Sequence, residues 1–164
     1  VVFKTLIIVF FLFSSIRGNA MSSELSQQER IKIVFNNLRA NKLDILDGFY
    51  DPNIFFQDPL GVHKGLDEMK KYYQKMYRNV QEIEFVPKEM ISSGSKHVFV
   101  WQMRLRASGL NGGDLVVVDG NSVIEFNDRN LVSYHRDYFD MGEFIYRYIP
   151  VLGWTIDKIN RQLR

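Results

Sequence analysis

Four stretches in the second half of the chain, 82–92, 96–107, 114–126 and 131–139, are rich in β-branched and aromatic residues, and the gaps between them are short. Parallel neighbours need a crossover of a dozen residues or more, so these strands must run as an antiparallel meander. Ser93-Gly94-Ser95, the segment from Ser108 to Gly113, and Asn127-Asp128-Arg129-Asn130 supply the turns. Val98 to Trp101 and Leu115 to Val118 are apolar at every position, so both faces of the central strands must be covered.

The segment before the meander alternates at helical spacing. Ser26-Gln27-Gln28-Glu29 is a capping box, in which a hydroxyl and a carboxylate satisfy backbone amides at a helix start. Ile31, Val34, Phe35 and Leu38 then share one helical face. After Ala40-Asn41 a shorter helix is expected, with Leu43, Leu46, Phe49 and Tyr50 as its stripe, stopped by Asp51-Pro52-Asn53. Ile54 to Gln57 reads as a short strand that ends at Asp58-Pro59-Leu60-Gly61. Gly65 opens a third helix, in which Leu66, Met69, Tyr73 and Met76 repeat at three and four, with Tyr72 and Tyr77 alongside. Helices followed by an antiparallel sheet predict an α+β fold, with the helices on the concave side.

The 164 residues suit one domain. Cysteine is absent, which excludes disulfides, thiolate catalysis and thiolate-held metal. His63, His97 and His135 show no zinc-type spacing, so no metal or cofactor is expected. Residues 1–20 stand apart: Lys4, an apolar run from Thr5 to Phe13, then Gly18 and Ala20 make a signal peptide. The other reading is an over-extended frame, with Met21 as the true start. The first implies secretion or the periplasm, the second the cytoplasm, and any membrane contact would come only from residues 1–20. Without Lys4 and Arg17 the chain carries 19 basic and 19 acidic residues, which gives no electrostatic basis for binding nucleic acid. Residues 21–140 form the expected domain and 141–164 a helical extension that breaks at Pro150.

Two constellations could carry chemistry. Asp58 follows directly on the apolar Phe55-Phe56, where partial desolvation would suit it as a general base. Asp-Pro is also a common turn former, so Asp58 could simply cap nearby amides. On a strand, His135, Asp137 and Phe139 share a face, and the His–Asp pair could transfer a proton or orient a ligand. Alternatively the pair is structural, or Asp137 bridges to Arg104 or Arg106 on a neighbouring strand.

NKLDILDGFYDPNIFFQDPLGVHKGLDEMKKYY, together with the late His135-Arg136-Asp137, resembles the SnoaL-like branch of the nuclear transport factor 2-like superfamily from about Leu25 to Phe139. That resemblance implies a cone-shaped, cystatin-like α+β roll with a curved mixed or antiparallel sheet. It also implies a homodimer formed through the sheet. The Asp-Pro-x-Gly segment is similar to that of the ketosteroid isomerases, whose base falls at Asp58; in SnoaL-like cyclases the late-strand acid falls at Asp137. The resemblance departs from the isomerases at their oxyanion donors. Val34 stands where their helix-borne Tyr would be, and Ser122 where their protonated Asp would be. A classical ketosteroid isomerase is therefore not expected. What is expected is an apolar small-molecule pocket walled by Tyr50, Phe56, Trp101 and Ser122. Asp58 or Asp137 would be its base and His135 the partner, for isomerase- or cyclase-like chemistry on a hydrophobic carbonyl or polycyclic compound. The competing expectation is a non-catalytic ligand-binding or dimerising protein.

Overall fold

The computed structural model describes residues 25–163, and the expected leader over residues 1–20 lies outside them. Its core is one six-stranded mixed sheet, which is not closed. The strands are β1 (Tyr50–Asp58), β2 (Gly61–Lys64), β3 (Val80–Ser93), β4 (Lys96–Ala107), β5 (Val116–Phe126) and β6 (Val132–Phe139), in the order β2-β1-β6-β5-β4-β3. The meander from β3 to β6 is antiparallel as its short loops require, and each strand ends within about two residues of its expected limits. β1 instead lies parallel to β6, with Phe56 opposite His135. The chain between these strands carries β2 to β5, which gives the long crossover that a parallel pair demands.

Two edges close the sheet to further pairing. β2 has only four residues. On β3 the register slips between Pro87 and Glu89, because proline has no N–H to give to the ladder. A charged, bulged edge of this kind is a poor template for another chain.

The helix α1 (Gln27–Asn37) has the capping box in place: Glu29 N–H donates to Ser26 Oγ at 3.3 Å, and Ser26 N–H to the Glu29 carboxylate at 2.8 Å. The Ser26 hydroxyl, which donates to the Glu29 carboxylate at 2.8 Å, and the Ser26 amide hold the Glu29 pKa below the usual carboxylate value. Ile31, Val34 and Phe35 are its buried face. The expected second helix does not form. Leu43–Leu46 is a single 3-10 turn, and Phe49 and Tyr50 belong to the approach and start of β1. Both residues are buried by pairing beside β6, because strand burial here outweighs the helical spacing. Asp51 is held by the Asn53 amide and the side chains of Asn127 and Arg129, which lower its pKa, with the amide as the largest cause.

β2 was not anticipated from sequence; the Asp58-Pro59-Leu60-Gly61 turn folds it back as a hairpin on β1. Gly65 follows at φ +88°, a conformation that an L side chain would resist, and its N–H donates to the Ile54 carbonyl at 2.8 Å. It leads into α2 (Leu66–Met76), whose Leu66, Met69 and Tyr73 are buried. After β6 come α3 (Met141–Phe144), capped by the Asp140 carboxylate, and α4 (Pro150–Gln162). Pro150 begins α4 rather than ending a helix, since the first turn has no use for its missing N–H. α3 buries Phe144, whereas Val151 and Trp154 of α4 stay exposed.

Candidate functional site

The sheet's helix-covered face holds a chain of hydrogen bonds set by strand register. Trp101 pairs across β4–β5 with Gly120, Ser122 across β5–β6 with Asp137, and His135 across β6–β1 with Phe56. The Trp101 indole Nε1–H donates to Ser122 Oγ at 2.9 Å, and the Ser122 hydroxyl donates to Asp137 Oδ1 at 2.5 Å. His135 Nε2 lies 2.8 Å from the same Oδ1, and His135 Nδ1 lies 2.7 Å from the Tyr50 hydroxyl. A carboxylate only accepts, so the network assigns the ring proton to Nε2 and leaves Nδ1 to accept from Tyr50. His135 itself is 1% exposed, packed edge-on to Phe56 and parallel to Tyr50.

Asp137 is the end of this chain that faces a hollow. Oδ1 accepts two hydrogen bonds, while Oδ2 accepts none among the described residues. The hollow encloses about 90 Å³ and, with its wider mouth, about 580 Å³ of free space. Aromatic rings of Phe56, Tyr72, Tyr73, Phe85, Trp101 and Phe139 line it together with aliphatic side chains such as Ile83 and Leu105, and Phe144 of α3 contributes to it. Such a mostly apolar cavity with a few convergent polar groups is the usual form of a small-molecule site.

Asp58 lines the same hollow, but both of its oxygens are engaged. Oδ1 accepts from the amides of Leu60 at 2.8 Å and Gly61 at 3.0 Å, and Oδ2 accepts from the Tyr72 hydroxyl. Turn former and pocket residue are thus combined in one side chain. His63 stacks on Tyr72 with centroids 4.2 Å apart, and its buried Nε2 has no hydrogen-bond partner.

The other expected site residues divide. Phe56 and Trp101 line the hollow; Tyr50 and Ser122 do not. Ser122 is fully buried behind it, and Tyr50 borders a smaller inner chamber of about 50 Å³ that shares Asp137, Tyr73, Tyr77 and Phe85 with the hollow. The alternative bridges to arginine are not made: Arg104 pairs with Glu84, and Arg106 with Glu82.

Two residues that shape the site were not among the expected site residues. Tyr77, at the C-terminal end of α2, borders both chambers, and its hydroxyl has no hydrogen-bond partner among the described residues. Burial, with the Asp137 charge second, pushes its pKa well up, so it remains a proton donor. Burial does the same to Tyr72, whose bond to Asp58 adds to the effect. Gly120 is the second: a Cβ there would stand 2.3 Å from Trp101 Cη2, so only glycine lets the indole lie across β5. Chemically, the site offers a fixed carboxylate with one unshared oxygen and a phenol with an unshared proton.

Comparison with known proteins places this architecture. The model of the SnoaL-like domain family matches residues 33–134. A nuclear transport factor 2-like protein of unknown function from Burkholderia pseudomallei superposes with a TM-score of 0.65 at 20% identity, covering 76% of this chain and 98% of that one. TerC, co-crystallised with polyporic acid, gives 0.62 at 16% identity over 72% and 94%. A candidate SnoaL-like polyketide cyclase from a Jannaschia species gives 0.61 at 14% identity over 70% and 85%. No curated protein sequence matches the chain.

Proposed function

Given that the chain belongs to the SnoaL-like domain family, we propose that it holds a small, largely apolar molecule in the hollow and that Asp137 is its acid/base group. The observation that carries this reading is the asymmetry of the Asp137 carboxylate. His135 and Ser122 fix one oxygen, and the other is left to a ligand. A base must be held still and must keep a free lone pair, and this carboxylate meets both needs. Tyr77 stands on the same cavity as the group able to donate to a ligand oxygen that gains charge. Asp58 is less suited to proton transfer, since any gain of a proton would break its bonds to Leu60, Gly61 or Tyr72. Its part is to hold the β1–β2 turn and one tyrosine of the wall.

The enclosed volume limits the ligand. A dry engineered cavity of roughly 150 Å³ admits benzene, so about 90 Å³ plus an open mouth fits a single ring better than a rigid polycycle. A non-catalytic ligand-binding role is the second reading. It is favoured by a donor already committed within the protein, the Tyr72 hydroxyl to Asp58.

Native mass spectrometry of the full chain against a library of small aromatic compounds tests the pocket, and turnover of any bound compound tests the chemistry. Asp137→Asn should keep a neutral ligand and lose turnover by about 100-fold or more, the usual size of a general-base contribution. Unchanged turnover in that variant would refute Asp137 as the base.

A further inference from the structure

The charge balance of the hollow selects what it can hold. Two carboxylates, Asp58 and Asp137, line it, and among the described residues no Lys, Arg or His does. His135 lies behind Asp137 and is shut off from the space. Around the carboxylates stand rings of Phe56, Phe85, Trp101 and Phe139, together with tyrosines. The face of each ring is electron-rich and attracts cations. Every fixed charge and every ring face that meets the cavity is therefore of one sign. Burial is the main reason Tyr50, Tyr72, Tyr73 and Tyr77 resist ionisation; the Asp137 charge adds to it at all four, and Arg39 opposes it at Tyr77.

From this cage we infer that the ligand is a protonated amine on a small apolar body, with its ammonium group against Asp137 Oδ2. The inference rests on the reading of the hollow as a ligand site and adds the ligand class. An ammonium group brings only donors. Asp137 Oδ2 can accept one N–H and the Tyr77 oxygen another, and the aromatic faces take the remaining charge. A carboxylate ligand would meet two like charges at short range and away from water; the guanidinium of Arg39, which donates to the Ile83 carbonyl, stands outside the lining. An alcohol donates one O–H to Oδ2 and a ketone none, and neither brings a charge of its own to offset the carboxylates. Ser122 and His135 serve the ammonium as well as they serve a base, because they hold Oδ1 and so aim Oδ2 at the cavity.

The test is a matched set with one ring and four polar ends: benzylamine, benzyl alcohol, acetophenone and benzoate, titrated into the full chain at neutral pH and followed by ligand-observed NMR. Benzylamine should bind at least about tenfold more tightly than the alcohol or the ketone, as a partly desolvated cation in an aromatic site does. Benzoate should be the weakest of the four. Asp137→Asn should weaken benzylamine by about tenfold or more and weaken benzyl alcohol by much less. The wild-type ranking decides the matter even if that variant does not fold. Equal or tighter binding of the alcohol, the ketone or benzoate overturns the amine assignment and leaves the hollow standing as a pocket. Binding of none of the four, with no hit in the wider library, overturns the pocket and the amine together.

Discussion

Replacing Gly120 with alanine isolates the contact that shapes the cavity wall. The added Cβ would lie 2.3, 2.6 and 2.8 Å from three carbons of the Trp101 six-membered ring, where ordinary contact begins at 3.4 Å. The indole would have to retreat by about 1 Å. It is held in place by the 2.9 Å bond to Ser122 and by Phe85, edge-on at 5.2 Å. Overpacking of this sort costs about 1–3 kcal/mol, and straining the indole–Ser122 bond adds up to about 1 kcal/mol. Glycine to alanine within a strand would otherwise stabilise by about 0.5–1 kcal/mol, because the unfolded chain loses freedom. The expected net loss is about 1–3 kcal/mol, or a Tm lower by about 2–12 °C in a chain of this size. Urea unfolding followed by tryptophan fluorescence measures it. In a Trp101→Phe background the same substitution should cost at least about 1 kcal/mol less, because the clashing atoms are gone. A loss under about 0.5 kcal/mol in the wild-type background, or no coupling to Trp101, would refute the packing described for β4 and β5.

Two further predictions concern buried polar groups. Tyr50→Phe removes the donor to His135 Nδ1 and leaves that nitrogen unpaired in a site 1% exposed, so urea denaturation should show a loss of about 1–3 kcal/mol; a loss below about 0.5 kcal/mol would contradict the tautomer assigned to His135. His97 is held between Ser92 and Gln27, and burial lowers its pKa from the ordinary 6.5. The unfolded chain therefore binds the proton more readily than the folded one, and His97 contributes stability that is full above the unfolded value and falls away as pH drops through the folded one. His97→Gln should flatten the decline of stability between about pH 7 and pH 5, and an unchanged slope would count against the buried, neutral ring.

Much of this architecture is legible in the residues themselves. The limits of β3 to β6 are readable because short polar turns punctuate long apolar strands. His135 and Asp137 share a face because strand periodicity leaves no choice. The segment 43–50 misleads because Leu43, Leu46, Phe49 and Tyr50 fit a helical stripe, and nothing local announces that β6, far along the chain, will recruit Tyr50 into a strand. β2 is too short to show periodicity. Ser122 is visible in sequence only as a departure from the isomerase pattern; its bonds to Trp101 and Asp137 depend on the register of three strands. Tyr77 sits at the end of an amphipathic helix, where a free hydroxyl and a packed ring look alike. Gly120 has no turn around it, and the reason for it is a ring carried on another strand.

The parallel pairing of β1 with β6 also sets an order of events during synthesis. Tyr50 and Phe55 pair with Val132 and Tyr134, so the first strand made cannot find its neighbour until the last has been translated. The β3–β5 meander can assemble as it leaves the ribosome, but the β1–β2 hairpin must wait, with Phe55 and Phe56 unsheltered. At an elongation rate of roughly 5–20 residues per second the interval lasts several seconds, long compared with the collapse of a nascent chain. The socket around His135 is thus the last part of the domain to close, and the nascent chain is most exposed to aggregation and chaperones just before the site exists.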